Sequence, residues 1–168
     1  MAKPAENRAP ARRPSEGDPA PSFTLPSSTG QSISLADYRG KQSVVLYFYP
    51  KDDTPGCTIE ACGFRDTIGD YQRAGAAVLG VSLDNLNSHM KFIDKFSLPF
   101  PLLSDERHEV ADAYGVYTLK QMYGREYWGI ERTTFLIDQQ GKIAKIYPKV
   151  KVDDHHYQVL KDLKALSK

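Results

Sequence analysis

The stretch YFYPKDDTPGCTIEACGFRDTIGDYQR, residues 47–73, constrains this chain more than any other. It reads as the end of a buried strand, a tight polar loop, and a helix that carries both cysteines of the protein. Thr54 suits the N-cap, and Pro55 suits the first helical position, where its missing N–H costs nothing. Cys57 then falls at the third helical position. There its sulfur lies beside unpaired backbone N–H groups and the positive end of the helix dipole, both of which favour a thiolate. Ordinary cysteines ionise near a pKa of about 8.5, and those at helix N-termini beside cations fall to roughly 3.5–7.5.

The spacing also sorts the faces of this helix. Cys57, Ala61, Phe64, Ile68 and Tyr71 recur at steps of four, three, four and three, which makes one inward stripe headed by Cys57. Glu60 is the neighbour of Cys57 across one turn. Cys62 is rotated by roughly 140° to another face, with its Cα about 8.7 Å from that of Cys57 in an intact helix. A disulfide needs Cα atoms within about 7 Å. The two thiols therefore cannot bond while the helix is formed, and any bond between them requires its first turn or two to unwind.

A chain of 168 residues is long enough for one domain with a sizeable core. Its formal net charge of +1 gives no reason to expect a nucleic-acid or anionic-membrane partner. No apolar run approaches transmembrane length. Two cysteines do not make a secreted disulfide framework and are by default a pair of inert buried thiols. Their placement within six residues, one of them at a helix start, favours redox or nucleophilic chemistry instead.

Along the chain, residues 1–20 hold four prolines, mixed charges and almost no large apolar side chain. They are expected to form a disordered arm, with Lys3, Arg8, Arg12 and Arg13 solvated, ahead of a domain over 21–168. The arm lacks the apolar segment of a signal peptide. Phe23 and Leu25, then Ile33 and Leu35, alternate around a Ser-Ser-Thr-Gly turn and predict a small hairpin. A helical turn at 36–39 should stop at Gly40. Residues 44–49 are a continuous apolar run, which suits a central strand buried on both faces.

The cysteine helix should end near Gly75, followed by a strand over 76–83. A helix over 86–96 is expected to bury Met90, Ile93, Phe92 and Phe96. A short strand lies at Leu102 and Leu103, and a short helix over 110–114 precedes Gly115. A strand over 133–138, a turn and an antiparallel partner over 142–147 then lead to a helix over 153–166, with Tyr157, Leu160 and Leu163 at helical spacing. Residues 115–131 read as a crossover whose aromatics, Tyr117, Tyr123, Tyr127 and Trp128, cover the core. The sum is an α/β fold with a central mixed sheet flanked by helices.

With these elements placed, the segment YFYPKDDTPGCTIEACGFRD resembles the active-site segment of the peroxiredoxins: Pro50, three residues, Thr54, two residues, Cys57. A second cysteine five positions later is similar to the bacterioferritin-comigratory-protein, or PrxQ, subfamily. The likeness runs over about residues 20–168 and includes GIERTTFLID. It implies a thioredoxin-like fold and a thiol peroxidase that reduces hydrogen peroxide and alkyl hydroperoxides without a metal, haem or other cofactor. In that family Cys57 would be the peroxidatic nucleophile. Cys62 would be the resolving cysteine, closing an intramolecular disulfide that thioredoxin or a similar dithiol reopens.

Thr54 and the backbone N–H groups near Cys57 would bond the leaving oxygen. Arg132 would favour the thiolate and bond the peroxide, Glu60 would orient Arg132, and Pro50 would shield the sulfur. Outside the resemblance, Thr54 is a plain N-cap, Arg132 and Glu60 are solvated charges, and Pro50 is a strand terminator. A monomer in the cytoplasm, with a reducing partner at hand, is the matching expectation.

Other readings weigh less. A thiol–disulfide oxidoreductase of this fold would carry C-x-x-C and a proline opposite it. This chain has C-x-x-x-x-C and no proline between Gly129 and Asp138. A non-catalytic redox sensor built on the same two thiols fits the sequence, and turnover separates it from an enzyme. A cysteine hydrolase needs a histidine paired with Cys57, and none is identifiable. Zinc needs four ligands, and His89, His108, His155 and His156 are scattered, the last two read as a solvated helix start. Lys51, Asp52 and Asp53 read as a solvated loop whose carboxylates point away from a thiolate.

Overall fold

A computed structural model describes residues 13–166 of the chain. The central run forms β3 (Ser43–Phe48), with all six residues buried. A small antiparallel hairpin precedes it, β1 (Thr24–Pro26) with β2 (Ser32–Ser34), and a 3₁₀ turn follows over Leu35–Tyr38. After β3 come α1 (Pro55–Arg73), β4 (Ala76–Ser82), α2 (Leu86–Phe96) and β5 (Leu102–Ser104). The chain continues through α3 (Glu109–Ala113), β6 (Tyr117–Met122), β7 (Arg125–Ile130), β8 (Thr133–Ile137), β9 (Ile143–Tyr147) and α4 (His155–Leu166).

The main sheet has the order β5-β4-β3-β8-β9. Strands β3, β4 and β5 are parallel, so α1 and α2 serve as the crossovers that parallel neighbours require. Strand β8 joins antiparallel to β3, and β9 pairs antiparallel to β8, as the turn at 139–141 predicts. The pleat of β3 divides the core in two. Val45, Tyr47 and Tyr49 face a layer made by α1, α2 and α4; Val44, Leu46 and Phe48 face the β1–β2 hairpin, α3 and Ile130. The ring of Phe64 on α1 stacks on Tyr47 of β3 at 4.9 Å, which fixes the cysteine helix against the sheet, and meets Tyr71 of the same helix at 5.7 Å. The helix ends where expected, with Gly75 at φ +79°.

Several expectations change. The expected arm lies outside the described residues for 1–12, but residues 13–20 are held on the domain. Gly17 N–H donates to Ile143 O, Ile143 N–H to Asp18 O, and Ala20 N–H to Gly141 O, while Arg13 pairs with Glu131. The open edge of β9 offers the hydrogen bonds that the segment's own composition does not predict.

Residues 115–131 are not a crossover over the core but the two-stranded hairpin β6–β7. Its turn places Tyr123 at φ +53° and Gly124 at φ +76°. A tyrosine in the left-handed region lacks the Asn-Gly or Asp-Gly signature by which such turns are read. Tyr123 is 98 % exposed, and of the four aromatics only Tyr117 packs against the core, stacked on Trp128.

On α2 the buried side is His89 and Phe92, whereas Met90 is exposed. On α4, Tyr157 is exposed and His155 takes the inward position, so the helix start is not solvated there. His155 Nε2 lies 2.8 Å from Thr134 Oγ1, under the rings of Tyr147 and Phe64. A hydroxyl on β8 thus satisfies a ring that apolar periodicity cannot place inside.

Candidate active site

The site is assembled where α1 starts. Thr54 has the extended backbone of an N-cap and Pro55 is the first helical residue, as predicted. The Thr54 side chain does not cap, however. Its hydroxyl donates to Lys51 O at 2.9 Å, tightening the loop before the helix instead. The first helical bond into this start runs from Thr58 N–H to Thr54 O, so the N–H groups of Gly56 and Cys57 precede the helical ladder. Cys57, 1 % exposed, heads the buried stripe. Cys62 is half-buried on the same unbroken helix, and both thiols are free.

Arg132 arrives from a neighbouring strand, at the same end of the sheet. It immediately precedes β8, which pairs with β3, and Thr133 stands opposite Phe48 in that register. The strand pairing therefore delivers the guanidinium to the helix start. Arg132 Nη2 donates to Cys57 Sγ at 3.3 Å, and Nη1 donates to Glu60 Oε1 at 2.7 Å. One fork thus spans sulfur and carboxylate across a single helical turn. Gly56 makes room for it: a Cβ there would lie 3.0 Å from Arg132 Nη2.

Glu60 is 1 % exposed rather than solvated. Burial pushes its pKa from 4.5 up to about 7 against the opposing pull of Arg132. Burial works against the charge of Arg132, but Glu60 and Cys57 outweigh it and hold the guanidinium above its ordinary pKa. Two buried oxygens here have no protein hydrogen-bond partner, Glu60 Oε2 and the hydroxyl of Tyr47. Burial, then the charges of Glu60 and Cys57, push the Tyr47 pKa well up, so that phenol stays neutral.

Arg132, Cys57 and Glu60 are thus brought together, with Thr54 in the adjoining turn. Pro50 sits half-buried directly after Tyr49. Asp52 is the exception among the expected loop residues. It is 6 % exposed and takes part in a second polar cluster, while Asp53 pairs with Lys95 at 3.0 Å. Sequence reasoning missed Gly56, whose signal was only the Pro-Gly pair, and Lys120. Lys120 lies half-buried on β6 opposite Tyr127. Burial and then the charge of Arg132 lower its pKa, while Cys57 and Glu131 act in the opposite direction. Among the described residues, no helix is long and apolar enough to cross a membrane.

Known proteins agree with this geometry. Residues 16–146 match the AhpC/TSA family. A putative peroxiredoxin bcp of Coxiella burnetii is 54% identical over 144 residues, covering 86% of this chain and 95% of that protein. Peroxiredoxin Bcp of Bacillus subtilis is 49% identical over 151 residues, covering 90% and 96%. Among solved structures, Xanthomonas campestris peroxiredoxin Q superimposes with a TM-score of 0.83 at 42% identity, covering 87% of this chain and 92% of that one. A Xylella fastidiosa PrxQ mutant gives 0.86 at 38% identity, covering 92% and 98%. A cysteine at a helix start under an arginine fork, on a thioredoxin-like sheet and with relatives this similar across nearly their whole length, makes the chain a member of the AhpC/TSA family, in its Bcp/PrxQ peroxiredoxin branch, and a thiol peroxidase.

Proposed function

We propose that Cys57 is the peroxidatic nucleophile of this peroxidase and Cys62 its resolving thiol. The observation that carries this reading is the Arg132 fork, 3.3 Å from Cys57 Sγ and 2.7 Å from Glu60 Oε1 at the open start of a helix. A thiolate lone pair attacks one peroxide oxygen, the O–O bond breaks, and the leaving oxygen departs with a proton as water or alcohol. Cys57 becomes a sulfenic acid. Negative charge grows on the leaving oxygen, and donors aimed at it lower the barrier. The guanidinium and the N–H groups of Gly56 and Cys57 are such donors. Thr54 joins them once its hydroxyl turns from Lys51 O, and Pro50 flanks the sulfur.

The Cys62 thiol then attacks the sulfenic sulfur, water leaves, and an intramolecular disulfide forms. The helix geometry demands that the start of α1 unwind for this step. A dithiol of the thioredoxin class restores both thiols by exchange and is itself oxidised to a disulfide. Hydrogen peroxide and alkyl hydroperoxides are the substrates; one related Xanthomonas campestris structure is described for its alkyl peroxide reduction activity. An intramolecular disulfide needs no second subunit, so the working unit is a monomer, in a compartment that supplies reduced thioredoxin, the cytoplasm.

The test is peroxide turnover coupled to thioredoxin and its reductase. Native protein turns over, Cys57→Ser does not, and Cys62→Ser completes one attack and then stalls, accumulating overoxidised Cys57. Normal turnover by Cys62→Ser contradicts the resolving assignment, and appreciable turnover by Cys57→Ser contradicts the nucleophile.

A further inference from the structure

A second buried polar cluster lies beside the site, on the other side of the turn that leads into α1. Its hub is Asp52. Tyr49 Oη donates to Asp52 Oδ1 at 2.5 Å, Ser88 Oγ donates to Oδ2 at 2.8 Å, and His89 Nδ1 lies 2.7 Å from Oδ2. The main-chain N–H of Asp52 donates to Asp84 Oδ2 at 2.8 Å, and Asp84 Oδ2 also receives the hydroxyl of Ser82. His89 is 0 % exposed, and its Nε2 lies 2.9 Å from the carbonyl oxygen of Leu103.

The bonds fix the proton inventory. A carbonyl oxygen only accepts, so Nε2 carries a hydrogen and the remaining proton lies between Nδ1 and Asp52 Oδ2. Asp52, Asp84 and His89 each bring a possible ligand atom within 4.8 Å of the others. Yet the ring uses both nitrogens and Asp52 both oxygens, so hydrogen bonds already satisfy the group. The cluster is a clamp that ties one loop residue to β4, α2 and β5 at once.

Its position gives it a task. Asp53, the next residue, is held at φ +57°, a left-handed conformation that non-glycine residues seldom adopt. Thr54, the helix start and Cys57 follow within five positions of Asp52. Resolution requires the start of α1 to unwind, while peroxide attack requires it to be wound beneath Arg132. We propose that Asp52, clamped by His89, Ser88 and Tyr49, is a positioning residue. It holds the 50–53 turn most firmly while the helix start is wound, favours that attacking form of the Cys57 helix start, and sets the point beyond which the chain unwinds. This rests on Cys57 and Cys62 having the roles assigned above.

Loss of the clamp should move the two half-reactions in opposite directions, which general loosening of the fold would not do. In Asp52→Ala, the stopped-flow rate of sulfenic acid formation on Cys57 should fall about tenfold as the attacking geometry loosens. Disulfide closure with Cys62 should be faster than in native protein, and more peroxide should be needed to overoxidise half of the enzyme. Asp52→Asn should restore attack to within about threefold of native, since its amide can donate to a neutral His89 Nδ1 and accept from Tyr49. Attack at the native rate in Asp52→Ala, or equal slowing of both steps, overturns the inference. If Asp52→Ala fails to fold, Tyr49→Phe and Ser88→Ala each remove one bond and must shift the two rates with the same opposite signs. Native protein is the control that separates the claims. If it forms no sulfenic acid at Cys57, the functional reading fails. If it does and the variants match it, the clamp alone fails.

Discussion

Two buried polar clusters flank the same short turn, and they are finished to different degrees. Around Asp52 the imidazole and both carboxylate oxygens have partners within hydrogen-bond distance. Around Cys57 the Arg132 fork is shared between sulfur and carboxylate, and Glu60 Oε2 and the Tyr47 hydroxyl have no protein partner. Unsatisfied buried groups cost stability, so natural cores keep few of them. A satisfied cluster rigidifies, whereas one with spare donors and acceptors can receive a reacting molecule. The contrast assigns stillness to one side of the turn and chemistry to the other, across the five positions from Asp52 to Cys57.

The sharpest way to break this contrast is at Arg132. Arg132→Met should lower kcat/KM for hydrogen peroxide by about 10²–10³, the scale of removing an aimed charge-stabilising donor. It should also destabilise the fold, because Glu60 is left buried without its cation. Adding Glu60→Gln should recover stability in urea unfolding but not activity. Recovery of both would mean that Arg132 serves packing rather than the reaction. A gentler change sharpens the same point. A methyl at Gly56 would lie 3.0 Å from Arg132 Nη2, so Gly56→Ala must displace the fork slightly. A loss of roughly three- to tenfold in kcat/KM, with unfolding unchanged, is expected from a shift of that size. An unaffected enzyme would show that the fork tolerates displacement.

The smallest effect is in stability against pH. The Glu60 carboxyl is raised from 4.5 to about 7 by burial, which exceeds the pull of Arg132. The native state therefore binds this proton more tightly than the unfolded chain does, and the group's contribution to stability falls as pH rises through that interval. His155 has the opposite sense. Burial, then the charges of His156 and Arg132, lower it from 6.5 to about 4. Its contribution is present above 6.5 and is lost as pH falls toward 4. Between about 4.5 and 6.5 the two slopes oppose one another, each worth at most ~3 kcal/mol. Glu60→Gln should therefore reveal stability that rises with pH, and His155→Gln stability that falls with pH, by urea unfolding at several pH values. A pH-independent Glu60→Gln variant contradicts this account.

The sequence made much of this legible where the signals are local. The run at 44–49, the Thr-Pro start and the stripe from Cys57 to Tyr71 each depend on neighbours a few residues apart, and the observed elements match them within a residue or two. Glu60 was visible as the neighbour of Cys57 across a turn. Its ion pair spans 72 positions, and Arg132 entered only through family resemblance. The Asp52–His89 contact spans 37 positions and was not legible at all. A carboxylate in a Lys-Asp-Asp run reads as solvated until the sheet brings α2 against it, and His155 reads as solvated until β8 is packed beneath it. The β6–β7 hairpin escaped because its turn uses a tyrosine where glycine or asparagine is the usual signal.

The most direct test of the central claim is a single-turnover experiment. Fully reduced protein is mixed with one equivalent of hydrogen peroxide in stopped flow, then its free thiols are counted and its mass determined. The account predicts loss of both thiols, orders of magnitude faster than for free cysteine, through a sulfenic acid on Cys57 to a monomeric Cys57–Cys62 disulfide. Slow loss, loss of one thiol only, or a disulfide between two chains would contradict it.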